Sequence, residues 1–278
     1  VVFFDDSVNI LEPAGVQLKA ISRESLLNVW ESGVGGPLGR PISMVTFAAN
    51  YYLSGFDPFW FKLTNLLIHC ANGVQVYFLS LFLVRAANPS MNQLARVRLV
   101  AAVVAVLWAF NPIQLTSVLY VVQRMTSLSS AFVLMALILH IWARQRQCWS
   151  WANVACYVAA WGLFLPLAVL SKETGVLYFL YVATYEAFLH RNFAGGFDRF
   201  AKLYLVLLGL AGLGLLLYLG LGSGPGLLGG YKDRTFTLAE RVLSEFRIIW
   251  AYIGLMLRPS LPNFGLYHDD FVVSTGMF

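Results

Sequence analysis

Charge is what this sequence has least of. Only 12% of its residues are Asp, Glu, Lys or Arg, whereas 59% are hydrophobic and the mean hydropathy is +0.68; a soluble domain carries roughly 25% charge. That balance excludes an ordinary soluble domain and makes lipid the solvent against which the chain is read. Acidic residues are the scarcest, 14 against 19 Lys and Arg. The basic residues nevertheless punctuate long apolar runs, as loop charges do, which argues against a nucleic-acid binder. Cysteine is scarce as well. Cys70, Cys148 and Cys156 fall in or beside apolar segments with no CxxC pair, so they read as small core residues and imply no disulfide framework. No GxxxxGKT and no GxSxG occurs, which removes a P-loop nucleotide site and an α/β-hydrolase elbow. The sole approach to an N-glycosylation sequon, Asn88-Pro89-Ser90, is blocked by its proline, which suits a bacterial inner-membrane protein and excludes little. There are no internal repeats and no low-complexity tracts. The chain starts at Val1 without a charged n-region, so it reads as an excerpt with a further span expected upstream.

What is present is a series of apolar runs about 20 residues long, the length at which a helix crosses a bilayer with its backbone satisfied. Five or six spans are expected, over 59–84, 99–110, 119–143, 151–170, 174–189 and 203–221. Asn111-Pro112 closes the second, because the residue before proline avoids the helical region. The stretch 237–257 differs, since Glu240, Arg241, Glu245 and Arg247 decorate its first half; it reads as an interfacial helix. A second amphipathic helix is expected over 21–32, opened by Ser22 or Arg23 and lying on the membrane surface. The expected fold is thus all-α, a polytopic integral membrane protein with short extracytoplasmic amphipathic helices. Residues 1–57 form a first extracytoplasmic loop, 58–221 the transmembrane bundle, and 222–278 a second extracytoplasmic loop opening on the glycine-rich 222–230.

Loops after the first, third and fifth spans carry Arg85, Arg96, Arg98, Arg144, Arg146, Arg191, Arg199 and Lys202 against a single acid, Asp198. The positive-inside rule makes that side cytoplasmic. Every other acid except Glu186 then falls on the outer side, among them Asp5, Asp6, Asp57, Glu173, Asp233, Glu240, Glu245, Asp269 and Asp270.

Several constellations on that outer side could carry chemistry. Asp5-Asp6 follows the apolar VVFF, and two carboxylates at a low-dielectric boundary suit a general base; a helix-end pair before Ser7 and Asn9 is the blander reading. Arg40 could orient a carboxylate or simply anchor the interface. Lys62, Asn65 and His69 share one face of the first span, where they either line a cavity or satisfy one another between helices. Gln123-Arg124 puts a charge inside an apolar helix near its outer end, facing a phosphate or snorkelling to the interface. Ser171-Lys172-Glu173-Thr174 joins two spans through a tight outer turn, giving a second cation beside Arg124 or a local Lys172–Glu173 pair. Lys232, Arg234, Arg241 and Arg247 add cations, although Arg241 and Arg247 accompany Glu240 and Glu245 as on any solvated helix. His268-Asp269-Asp270 could join Asp5-Asp6 around a divalent metal, but no spacing rule supports it and no cofactor is expected. Without a soluble nucleotide site, an external enzyme needs an activated donor that arrives through the membrane, and a lipid-linked phosphate sugar meets that need.

Taken in order, FFDDSVNI, GRPISMVTFAANYYLSGFDPFWFKLTNLLIH, NPIQLTSVLYVVQRMTSL, LSKETGVL and RTFTLAERVLSEFRIIW resemble the GT-C glycosyltransferases, and within them the protein O-mannosyltransferases and their transmembrane, tetratricopeptide-repeat-containing relatives. The resemblance covers most of the chain. It implies inverting transfer of a sugar from an undecaprenyl- or dolichyl-phosphate donor to a hydroxyl of a protein or glycan. The reaction would occur on the periplasmic face of a bacterial inner membrane, or in the lumen if the chain is eukaryotic. Asp5 or Asp6 would then be the base and Arg40 would hold that pair. Arg124, Lys172 and one of Arg234, Arg241 or Arg247 would neutralise the departing phosphate. Asn111-Pro112 stands where the family usually has His-Pro, which leaves that histidine's role without a bearer. The rival expectations are a transporter or flippase of lipid-linked saccharides, needing the cations but not the acids, and a membrane anchor for downstream interaction repeats.

Overall fold

The computed structural model describes residues 6–88, 93–146, 150–194, 196, 198–220, 236–259 and 272–274. Every regular element among them is helical. Two compact units result, one of residues 1–110 with 114–202, the other of residues 111–113 with 203–278.

In the first unit the local chemistry sets the helix starts. Helix α1, Arg23–Glu31, opens on Ser22, whose hydroxyl accepts from the Ser25 amide while Ser25 reaches back to the Ser22 amide, a reciprocal cap. Helix α2, Pro41–Ser54, has proline at its first position and ends at Gly55, whose positive φ of 61° suits a residue without a β-carbon. Helix α3, Pro58–Ala87, follows at once, with Asp57 accepting from the Phe59 amide and proline again leading. Helix α4, Leu94–Ala109, is joined to the short α5, Leu115–Leu119, through a bend of 53° at Asn111-Pro112. Helix α6 covers Arg124–Gln145. Helix α7, Trp151–Ser171, contains a π-helical stretch, Val158–Phe164, just before Pro166, whose missing amide relaxes the ladder there.

Among the described residues α3, α7 and the helical run Val121–Gln145 are long and apolar enough to cross a membrane, and the bent α4–α5 pair raises the number to four. The fifth expected span is not one continuous α-helix. It is a succession of Glu173–Leu177, helix α8 over Tyr178–Thr184, the π-helical Tyr185–His190 and Arg191–Ala194. Its outward face carries Val176, Leu180 and Phe188, as α3 presents Leu67 and Val74 and α4 presents Leu99 and Leu107. So much exposed apolar surface suits hydrocarbon and would aggregate in water.

Side-chain bonds fix the directions. Asn65 near the start of α3 meets Arg124 at the start of α6, and the Gln145 amide at the end of α6 donates to the Phe82 carbonyl near the end of α3, so these helices run parallel. Ser129 of α6 bonds the Ala168 carbonyl late in α7, so α7 runs back. The segment before α3 packs onto one end of this bundle. Ile10, Val16, Leu18, Val29, Met44, Phe47 and Ala48 form a common buried cluster with Phe61, Val121 and Met125. Burying such residues contributes about 1.5–3 kcal/mol each, so the described part of this segment, 6–57, is packed onto the bundle rather than trailing from it.

In the second unit, helix α9 covers Arg199–Gly220, its first residues belonging to the first unit, and α10 covers Leu238–Leu257. Thr237 caps α10 in a reciprocal pair with Glu240, whose carboxyl is held below its usual range by the Thr237 amide and hydroxyl. Asn111 donates from Nδ2 to the Met256 carbonyl and accepts from the Ile113 amide.

Candidate functional site

The turn that leads into α6, residues 121–126, organises one end of the first unit. The Val122 amide donates to Asp6 Oδ1 at 2.8 Å, which draws the buried Asp6 carboxylate against the turn. Asp6 lines a cavity of about 30 Å³ with Ile10, Leu11, Phe56, Pro58, Phe61 and Val121. Asp5 lies outside the described residues. Gln123 accepts from the Thr126 hydroxyl at 2.8 Å, and Thr126 in turn accepts from Lys172 Nζ at 2.6 Å. Burial, followed by the nearby Arg40 guanidinium, lowers the Lys172 ammonium from the ordinary lysine range, against the opposing pull of Glu173.

Arg40, expected to hold the acidic pair, is ion-paired with Glu173 at 3.0 Å, and its Nη1 also faces Met125 Sδ at 3.5 Å. The tight turn at Ser171–Glu173 depends on Gly175, where a β-carbon would stand 2.6 Å from the Ala168 carbonyl carbon. Ser43 on α2 donates to the Ser171 carbonyl, tying the element that carries Arg40 to the one that carries Lys172 and Glu173.

Arg124, at the first position of α6, is internal. It is 0% exposed. Nε donates to Asn65 Oδ1 at 2.8 Å, Nη1 to the Thr46 carbonyl and Nη2 to the Phe61 carbonyl, with the guanidinium over the Phe47 and Phe61 rings. Such a set of partners satisfies a buried charge inside protein. His69 is likewise internal: its Nε2 donates to the Ala109 carbonyl at 3.0 Å and its ring stacks on Trp108. Arg241 pairs with Glu245 along α10, and Arg247 donates to the Val272 carbonyl; both belong to the second unit. Arg234, Lys232 and His268-Asp269-Asp270 fall outside the described residues, as does Cys148, whereas Cys70 and Cys156 are free thiols.

One feature of the site carries no sequence signal. A groove of about 530 Å³ starts at Thr126, Ser129, Ser130 and Thr174 and continues between apolar walls of Val76, Leu79, Trp108, Val133, Leu134, Leu137, Leu177 and Tyr181. From Thr126 to Leu137 the α6 wall rises about 16 Å at 1.5 Å per residue. Its polar end is the hydroxyl that Lys172 grips.

The opposite end of the bundle holds a separate ionic network. Glu186, wholly buried, accepts two bonds from Arg144 at 2.7 and 2.8 Å and one from His140 at 3.1 Å; Arg144 also reaches Asp198 at 2.8 Å. Glu186, His190 and Asp198 are close enough together to hold a metal, but Arg144 bridges the two carboxylates with its own positive charge.

These features define an all-helical protein, among its described residues, with three or four helices apolar enough to cross a membrane and a cation–carboxylate cluster beside the polar end of an apolar groove. No family model matches the chain, and no solved structure matches it. It is 28% identical over 157 residues to the protein O-mannosyl-transferase TMTC1 of Homo sapiens, covering 55% of this chain and 17% of that protein. Against the human TMTC4 it is 30% identical over 146 residues, 49% of this chain and 19% of the relative. Against the Drosophila melanogaster Tmtc3 it is 29% identical over 160 residues, 54% and 17% respectively. The chain is therefore a distant relative of the protein O-mannosyl-transferases, and it spans less than a fifth of the length of the curated relatives it matches.

Proposed function

We propose that this chain is the membrane core of a GT-C glycosyltransferase that moves a sugar from a polyprenyl-phosphate donor to a protein hydroxyl on the extracytoplasmic face. The observation that carries the reading is the groove: apolar along most of its length, hydroxyl-lined at one end, with Lys172 on Thr126 where a phosphate headgroup would lie. A lipid tail needs the first property and its phosphate the second. The names of the relatives favour protein as acceptor and mannose as sugar. In this reading the acceptor oxygen attacks the anomeric carbon, the carbon–oxygen bond to phosphate breaks with inversion, and the hydroxyl proton passes to Asp5 or Asp6. Polyprenyl phosphate leaves, and Lys172 and Arg40 offset the charge it gains; stabilising developing charge of this kind is commonly the largest contribution to catalysis. Arg124 acts differently, holding α2, α3 and α6 in register beneath the site.

The deciding assay supplies the purified protein with radiolabelled polyprenyl-phosphate mannose and a serine- and threonine-containing acceptor. Transfer is expected from the wild type and is expected to fall at least a hundredfold on Asp6→Asn or Asp5→Asn, in the range typical of losing a general base. Donor binding without transfer under any acceptor, unchanged by either substitution, would favour a transporter of lipid-linked saccharides.

A further inference from the structure

Glu173 is out of place in a site meant for an anion, because a carboxylate beside a phosphate repels it. Yet Glu173 directly precedes Thr174 of the groove's polar end, and its surroundings are built to hold it. Arg40 Nε stands 3.0 Å from one of its oxygens and 3.4 Å from the other, while Lys172, the preceding residue, holds Thr126 and feels both the Arg40 and the Glu173 charge. The chain before α2 folds over the pair. Gly36, at φ +68°, comes so close that a β-carbon there would overlap Glu173 Oε1 and lie 3.2 Å from Arg40 Nη2. Arg40 itself is left-handed, at φ 52° and ψ 48°, and is the one described non-glycine residue with positive φ. A residue before proline avoids that region, and such a conformation persists only where its surroundings hold it. The pair is not sealed either, since the two side chains are 21% and 29% exposed.

We propose that Glu173 is a built-in stand-in for the donor's phosphate, an anion that keeps Arg40 beside Lys172 in the empty site and gives it up when a lipid phosphate arrives. The inference rests on the donor reading above. Two partly buried cations without a counter-ion would repel one another and drift apart. Glu173 prevents this while the groove is empty. A phosphate brings more charge and more acceptor oxygens than a carboxylate, so it can take Arg40 over. Glu173 then becomes a restraint on donor affinity, and neutralising it strengthens binding. A residue that merely positioned Arg40 for the donor would have the reverse effect.

The test titrates polyprenyl monophosphate into the purified protein in lipid nanodiscs and compares wild type, Glu173→Gln and Gly36→Ala. Glu173→Gln is expected to bind roughly fivefold more tightly, the scale of a partly exposed charge contact, with the difference shrinking as salt is raised. Gly36→Ala, whose methyl displaces the carboxylate from Arg40, is expected to tighten binding to a smaller degree, and it serves alone if Glu173→Gln does not fold. Unchanged or weaker binding by the folded variants overturns the inference while leaving the donor reading intact. No binding by the wild type removes the donor reading, and this inference with it.

Discussion

At the scale of single residues, the two cations near the start of α6 behave in opposite ways. Arg124 gives three bonds to Asn65, Thr46 and Phe61 in full burial. Arg124→Met is therefore expected to destabilise the protein by about 3 kcal/mol, because it strands Asn65 and removes charge-assisted bonds. Thermal unfolding in detergent checks this, and donor affinity of the folded fraction is expected to hold. A selective loss of affinity at unchanged stability would return Arg124 to the phosphate. Lys172 should respond to pH instead. Its ammonium must be protonated to hold a phosphate, and burial and Arg40 push it down from the lysine range. Donor binding should therefore fade on the alkaline side earlier than an ordinary lysine would dictate. Arg40→Gln removes one of the lowering causes, so the alkaline limb should move to higher pH even as affinity drops; a limb that moves down, or stays, refutes the assignment. The tight turn that carries Lys172 between two apolar runs was legible in the sequence. The fate of Arg124 was not, because its partner Asn65 lies 59 residues away. Nor was the pairing of Arg40, whose partner is 133 residues away. Long apolar runs announce their helices, but which side of a helix meets protein is decided by packing.

At the scale of elements, helix starts and long spans were readable from local chemistry. Ser22 caps the helix it was expected to open, the runs 59–84 and 151–170 fall within Pro58–Ala87 and Trp151–Ser171, and 119–143 overlaps Val121–Gln145 with a shift of two residues. The run 174–189 misled, because composition cannot register a change from 3₁₀ to α to π winding within one apolar stretch. That winding begins at Glu173 and includes Gly175, whose missing side chain lets the turn after Lys172 pass close to the Ala168 carbonyl. Gly175→Val should therefore displace the turn and with it Lys172 and Glu173. The expected result is a loss of about 1–3 kcal/mol in stability, typical of overpacking, together with a fall in donor affinity larger than that of a distant substitution of equal stability cost. Comparing Gly175→Val with Gly162→Val, at a position where a β-carbon meets nothing within 4 Å, separates the two effects. Equal affinities would mean that the turn does not set the site.

At the scale of the whole first unit, two ionic centres occupy opposite ends of the bundle: Arg40, Lys172 and Glu173 at one, Arg144, Glu186 and Asp198 at the other. Glu186→Ala leaves Arg144 with half its partners, and removing one member of a buried pair typically costs 3–5 kcal/mol. The expected loss is about 3 kcal/mol, with donor affinity in the folded protein unaltered, because the groove's polar end lies with Thr126 and Thr174 and not with Arg144. The same arrangement bears on orientation. In the first unit Arg85, Arg96 and Arg191 flank the Arg144 end while Asp6, Asp57 and Glu173 lie toward the Lys172 end, and under the positive-inside rule the proposed donor site would face outward. Single cysteines at Leu38 and Arg191, both exposed, in a variant lacking the three native cysteines give this reading its sharpest check. In intact cells a membrane-impermeant thiol reagent should modify the Leu38 position at once and the Arg191 position only after permeabilisation. Modification of both from the same side would mean that the bundle does not cross the bilayer in this sense, and a donor entering laterally along α6 would then have no extracytoplasmic headgroup site to reach.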